Sequence, residues 1–171
     1  MKKFELTSEF ITNIFGTKLF RIKALIEFGN VKAGELGGFV EKEENLNHEG
    51  NAWVYGNAEV YGNARVYGNA SVYGNASVYG NAWVYGNARV CDDARVYGNA
   101  DYATVHGFGS EYRTTTFFKT KAGEIGVRCG CFYGNLSEFR KKVVETHGET
   151  KKAKEYLMLA DLMEFRFSDN S

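Results

Sequence analysis

The sequence predicts a mainly β protein: a short left-handed parallel β-helix of hexapeptide repeats, with an N-terminal β cap and a small C-terminal α+β module. Three observations predict it. From Asn51 the chain reads NAWVYG, NAEVYG, NARVYG, NASVYG, NASVYG, NAWVYG, NARVCD, DARVYG, a period of six that is neither helical nor a plain two-residue alternation. Within each unit Ala-x-Val alternates like a strand, so Ala and Val point one way while x and Tyr point the other. Gly-Asn then breaks the strand, because both residues tolerate the irregular backbone of a corner. With 20 Gly and no Pro, the chain must make its turns from Gly and Asn.

In chain order, residues 1–50 read as an N-terminal cap. Phe20, Ile22 and Ala24 alternate with Arg21 and Lys23, which suggests a strand. The Gly-rich VKAGELGGFV that follows reads as irregular turns leading into the repeat. Leu46 is two residues out of phase with Val54, so this coil is imperfect and the pattern puts His48 neither in nor out. Residues 51–106 are the β-helix. Its first position holds Val54 and every sixth residue to Val96, and its fifth holds Ala58 and every sixth residue to Ala100. An aliphatic and a small residue at these positions fill a narrow triangular prism. Three hexads make a coil, so eight hexads give about 2.7 coils, roughly 13 Å of prism at the usual strand spacing. So short a solenoid exposes two ladder edges and needs caps.

Ala103-Thr104-Val105 reads as one more Ala-x-Val strand, shifted by three. Residues 107–171 then form the C-terminal module, a hairpin plus two helices. The hairpin pairs 112–119 with 124–132 around Lys121-Ala122-Gly123. Asn135 followed by Glu138 has capping-box spacing and opens a helix through His147, with Gly148 past its end. Thr150 can cap a second helix, in which Ala153, Tyr156, Leu157, Ala160, Met163 and Phe167 line one face.

Charge limits the partners. Lys+Arg and Asp+Glu both number 21, and the balance holds along the chain, so no segment supplies the basic surface that extended nucleic acid requires. An acidic mimic of DNA is excluded by the same arithmetic. Cys91, Cys129 and Cys131 are an odd, sparse set that fits a reduced, cytoplasmic protein better than a disulfide framework. The N-terminus has no uninterrupted apolar run and no small-residue cleavage site, so a signal peptide is not expected. No stretch approaches the ~18 apolar residues of a membrane span.

Two sets of residues carry a family resemblance. Val31-Lys32-Ala33-Gly34, Gly37-Gly38-Phe39-Val40, Leu46 and Trp53-Val54-Tyr55 resemble the leading segment of YdcK-like hexapeptide-repeat proteins, which are labelled transferases by fold. Thr115-Thr116-Phe117-Phe118, Cys129-Gly130-Cys131-Phe132 and Glu145-Thr146-His147-Gly148 are similar to the tail attached to such repeats in phage and prophage proteins. The resemblance spans residues 18–160. It implies a left-handed β-helix and a mobile-element setting, and it implies little about activity, because the transferase label rests on fold analogy.

The enzyme reading needs a base near pH 7. Hexapeptide acyltransferases use a His on or beside an inserted loop for this. Residues 52–100 contain neither a loop nor a His; His48, His106 and His147 all lie outside the prism. His147 at a helix end has a bland account in the helix carbonyls. His106, pointing outward beyond the last coil, is the one catalytic candidate worth retaining. A γ-type carbonic anhydrase would need three His around zinc, and the repeats offer none. Cys129 and Cys131 would leave a metal two ligands short and read better as packed thiols. Ice binding would want outward Thr rows, and no phosphate loop occurs. No metal, cofactor or catalytic set is therefore expected.

The outward residues are the unusual feature. Threading with an 18-residue coil gives three faces. The first carries Trp53, Ser71 and Arg89 beside Tyr55, Tyr73 and Cys91. The second carries Glu59, Ser77 and Arg95 beside Tyr61, Tyr79 and Tyr97. The third carries Arg65, Trp83 and Asp101 beside Tyr67 and Tyr85. Stacked Tyr ladders stabilise neighbouring coils, and Tyr and Trp are also favoured anchors of protein interfaces. The expected binding residues are Tyr61, Tyr79, Tyr97, Arg95 and Glu59, with Trp53 and Trp83. The reading is a non-enzymatic interaction protein of a phage or prophage. It binds and inhibits a host protein, as an anti-CRISPR would, through this aromatic face or the C-terminal module, and a homo-oligomer (dimer or trimer) accompanies it. The alternatives are an acyltransferase-like enzyme and a binder of a small nucleotide stacked on the Tyr rows.

Overall fold

The computed structural model describes residues 1–168. Three strands open the chain: β1 (Phe4–Thr12), β2 (Lys18–Ala24) and β3 (Leu36–Val40). Eight two-residue strands follow, β4 (Trp53–Val54), β5 (Glu59–Val60), β6 (Arg65–Val66), β7 (Ser71–Val72), β8 (Ser77–Val78), β9 (Trp83–Val84), β10 (Arg89–Val90) and β11 (Arg95–Val96). They stack in parallel on three faces, β4-β7-β10, β6-β9 and β3-β5-β8-β11, the last extended by the antiparallel β1 and β2. Val60 sits over Val78 and Val78 over Val96, one coil of 18 residues apart. This is a parallel β-solenoid of about three turns, and every Val from Val54 to Val96 is buried. Within the repeat, Gly56, Gly62, Gly68, Gly74, Gly80 and Gly86 all take positive φ, the corner conformation that a side chain disfavours.

The hexad register extends upstream of Asn51. Val40 pairs with Val60, and Leu46 bridges to Val66. Both spacings are 20 residues, whereas Val54 to Val72 is 18. The two extra residues therefore lie between Leu46 and Val54, where the chain bulges through His48 and turns at Gly50 (φ 75°). That bulge is clamped by β1. The Lys3 N–H donates to His48 Nδ1 (3.0 Å), and the imidazole stacks on Phe4 with ring centroids 4.3 Å apart.

Both solenoid edges are closed by side chains. Between coils, N–H groups donate to carbonyls 17 residues on, as Arg65 does to Ala82 and Tyr67 to Val84. In the first coil the carbonyls left over are met by donors. Lys3 Nζ reaches Gly50 O and Ala52 O, Arg21 reaches Gly37 O, and Asn45 Nδ2 reaches Gly62 O and Ala64 O. At the far edge, N–H groups with no next coil find acceptors: Asn99 Oδ1 for Trp83, Thr116 Oγ1 for Arg89, and Asp101 Oδ2 for Tyr97 and Gly98. Buried backbone polar groups must be paired, and these contacts pair the edge groups named here.

Two expectations at the exit are corrected. The hexad pattern puts Ala100 inside the prism, but it is exposed, because Asn99–Asp101 turn into a 3-10 helix to supply the two caps just described. Ala103-Thr104-Val105 does not continue the solenoid. It lies in β12 (Tyr102–Phe108), which pairs antiparallel with β13 (Arg113–Lys119). β13 also pairs with β14 (Ile125–Cys129), and β14 with β15 (Phe132–Asn135), so the hairpin expected here is the middle of a four-stranded antiparallel sheet. Alternation on β13 joins the two cores: Phe118 packs into the solenoid core and Phe117 into the module core. α1 (Leu136–His147) is capped by Asn135, whose side chain accepts from Glu138 N–H, and Thr150 caps α2 (Lys151–Arg166) likewise. Ala153, Tyr156, Ala160 and Met163 are the buried face of α2, with Phe167 just beyond it. No helix among the described residues is long and apolar enough to cross a membrane.

Lys3 gives a pH prediction. Its side chain is buried, and desolvation pushes its ammonium down to about 8 from an ordinary 10.5. Between these values the unfolded chain holds a proton that the folded one has released, so stability rises with pH through this window. Below about pH 8 both states are charged and the burial penalty is present in full. Cys91 and the buried Tyr102, both pushed upward by desolvation, act oppositely above about pH 9. The parent should therefore gain about 1–2 kcal/mol over Lys3→Met between about pH 8 and 9.5, read from urea melts. Parallel stability curves for the two proteins would contradict this.

Candidate functional site

The first face is largely covered, with Tyr55, Ser71, Tyr73 and Arg89 half-buried. Trp53, expected outward and available for binding, is fully buried. It does leave the prism, but the N-terminal strands fold over it: Phe28 meets its ring at 5.3 Å and Phe4 at 6.2 Å. Cys91 is buried too, and its thiol is pushed up to about 12 by desolvation. Arg128 lies over Tyr73 at 5.9 Å, and the Arg89 guanidinium donates to Gly130 O at 3.0 Å. The two caps thus cover this face from both ends.

The second face brings five of the expected residues together. Tyr61 and Tyr79 stack with centroids 4.9 Å apart and planes 6° from parallel; Tyr97 meets Tyr79 edge-on at 5.3 Å. Ser77, paired between Glu59 and Arg95 in the neighbouring column, is buried. Arg95 does not stand free at the end of the column. Its Nε donates to the Tyr79 hydroxyl at 2.6 Å and its guanidinium lies 5.8 Å from that ring. Glu59 is half-buried, and desolvation raises its carboxyl above the usual range, with Lys121 pulling it back.

The opposite wall comes from outside the repeat. The β1–β2 turn is held by Asn13 Oδ1, which accepts from Phe15 and Thr17 N–H, and it closes at Gly16 with φ 81°. This geometry pushes Ile14 and Phe15 into solvent, 91% and 61% exposed. Phe15 faces Tyr61 at 6.5 Å, and a groove of about 460 Å³ lies between the turn and the Tyr column. The signal was in the sequence: an Asn-x-x-Gly turn whose two inner residues are Ile and Phe has no polar residue to present outward.

Trp83 belongs to a separate surface. On the third face Tyr67 stacks on Tyr85 at 5.1 Å, and Trp83, 47% exposed, stands edge-on to Tyr67 at 6.2 Å. His106 is exposed on β12, its Nδ1 3.2 Å from Thr114 Oγ1, and His147 stacks on Tyr156 inside the C-terminal module.

The repeat stretch matches the family model described as the YdcK β-solenoid repeat, over residues 58–74, 70–86 and 88–100. These segments run along the solenoid from just before β5 into the Asn99–Asp101 turn. No curated protein matches the chain.

Proposed function

We propose that the protein is a non-enzymatic binding protein that grips another protein between its second face and the β1–β2 turn. The observation that carries this reading is that Ile14 and Phe15 stand in solvent directly across from stacked Tyr61 and Tyr79. Isolated exposed apolar residues are ordinary, but an aromatic column and an apolar turn sharing one groove, rimmed by Glu59, Arg95 and Lys121, have the make-up of an interface core. The partner we assign is a host protein in the cytoplasm. The resemblance of the tail to phage and prophage proteins supports counter-defence, such as blocking a CRISPR effector. The hexad spacing favours the left-handed form of the solenoid for this role.

Phe15→Asp and Tyr79→Ala should each weaken association by about 2 kcal/mol, the scale of an interface anchor. Tyr67→Ala on the third face is the control. The measurement is titration against the protein captured from host lysate, with sedimentation velocity for self-association. Parent-like binding and self-association by both groove variants would rule out the second face.

The acyltransferase reading requires a base beside an acyl-donor cleft. His106, the retained candidate, is exposed on a sheet outside the solenoid with a threonine as its partner. Acetyl-CoA should therefore neither bind tighter than about 100 μM nor be hydrolysed. Tight binding abolished by His106→Ala would restore the enzyme reading.

A further inference from the structure

Three stretches of the chain meet in the C-terminal module. Cys129, Gly130 and Phe132 turn from β14 into β15, Thr146 and His147 end α1, and Thr115 on β13 donates its hydroxyl to Cys129 Sγ at 3.3 Å. Beside them lies a cleft of about 200 Å³, room for roughly six or seven waters, and so for one small ring with a short tail. Its walls are aromatic. Phe139 is edge-on to Tyr156 at 5.6 Å, Phe132 tilts against Phe139 at 5.8 Å, and Phe108 at the end of β12 also lines the cleft. In the cleft wall the half-buried Cys129 thiol faces the Tyr156 hydroxyl at 3.7 Å. Burial holds Tyr156 well above the usual tyrosine range, so that hydroxyl stays protonated. Two exposed cations, Arg113 and Lys142, stand at the mouth with one carboxylate, Glu111, 3.8 Å from the Arg113 guanidinium.

We propose that this cleft binds a small aromatic carboxylate, its ring held among Phe108, Phe132, Phe139 and Tyr156 and its carboxylate on Arg113 and Lys142. Edge and face contacts from several rings select a flat apolar body. The guanidinium fork and the ammonium at the mouth select an anion over a neutral or cationic tail. Glu111 already occupies part of Arg113, so it weakens the site rather than building it. The cleft shares no residue with the second face, so it stands or falls independently of the interface reading.

Phenylacetate, benzoate and indole-3-acetate are suitable probes, each beside its neutral amide, followed by ligand-observed NMR. The Cys131→Ser background isolates iodoacetamide alkylation of Cys129 as a local readout, since Cys91 is buried. At least one acid should bind, slow that alkylation, and exceed its amide by about tenfold or more. Arg113→Gln with Lys142→Gln should remove that preference, and Glu111→Gln should tighten binding severalfold. The proposal is overturned if no acid binds at about 5 mM, or if the amides bind equally well. It is equally overturned if Cys129 is not protected, or if the double variant retains the preference.

Discussion

Val78→Asp should cost about 4 kcal/mol or more, lowering the melting temperature by roughly 10 °C or abolishing the cooperative transition. Val78 is fully buried on β8, paired between Val60 and Val96, in the middle of the stack and away from either cap. A carboxylate there faces Val and Ala methyls, with no donor to pair with. It would either hold its charge without water or take up a proton at a cost. The neighbouring Tyr79→Ser is the informative comparison. That ring lies outside the prism, so its loss removes the stack on Tyr61 and the bond from Arg95, about 1–2 kcal/mol. Near-equal melting temperatures, measured by calorimetry at one pH, would refute the inward and outward assignment of the whole repeat.

That assignment was legible because it is local. Each hexad states its own corner and its own inward pair, so Val54 to Val96 could be placed without knowing any contact. The helix caps were legible for the same reason: Asn135 with Glu138, and Thr150, act within one turn. The coil at Leu46 was not, because its two extra residues make sense only once Lys3 and Phe4 are seen clamping His48. Residues 45 apart in the chain decide that bulge, and no periodicity reports them. Likewise Ala100 obeys the pattern in sequence and leaves it in space, since the last coil needs caps from Asn99 and Asp101 more than it needs another small residue inside.

The site divides along the same line. The Tyr61-Tyr79-Tyr97 column follows from an 18-residue coil and was placed correctly in register. Outward, however, means only out of the prism. Trp53 and Trp83 occupy equivalent positions in the hexad, and one is fully buried while the other is half exposed, because the N-terminal strands cover one face and not the other. Which face a cap covers is a tertiary choice. The opposing wall at Ile14 and Phe15 lies outside the repeat, so the local Asn-x-x-Gly pattern marks a turn there but no periodicity sets it against the Tyr column.

The covering of Trp53 yields the second large effect. Gly37→Ala should destabilise the protein by about 3 kcal/mol or more. Gly37 opens the stretch of β3 that lies against β4 and the indole. A Cβ placed there would sit 2.5 Å from Val54 O, 2.7 Å from Trp53 Cζ2 and 2.7 Å from Ile22 Cγ1. None of these neighbours can give way cheaply. The carbonyl belongs to the backbone of the solenoid's own wall, and Trp53 and Ile22 are fully buried in the core. The added methyl must therefore push β3 away from β4 and β5, loosening the bonds that Phe39 and Glu41 N–H make to Ala58 O and Val60 O. Gly98→Ala is the matched control. It has an extended backbone (φ −153°, ψ 176°) that alanine adopts freely, and nothing lies within 4 Å of a Cβ built on it. Its stability should change by less than about 0.5 kcal/mol, or rise slightly through the less flexible unfolded chain. Because the lost contacts hold the N-terminal strands on the solenoid, Gly37→Ala should also speed hydrogen exchange at Phe39 and Glu41 more than at Tyr79. Equal unfolding free energies for the two alanine variants would mean that β3 does not lean on Trp53 and Val54, and that the first face is open after all.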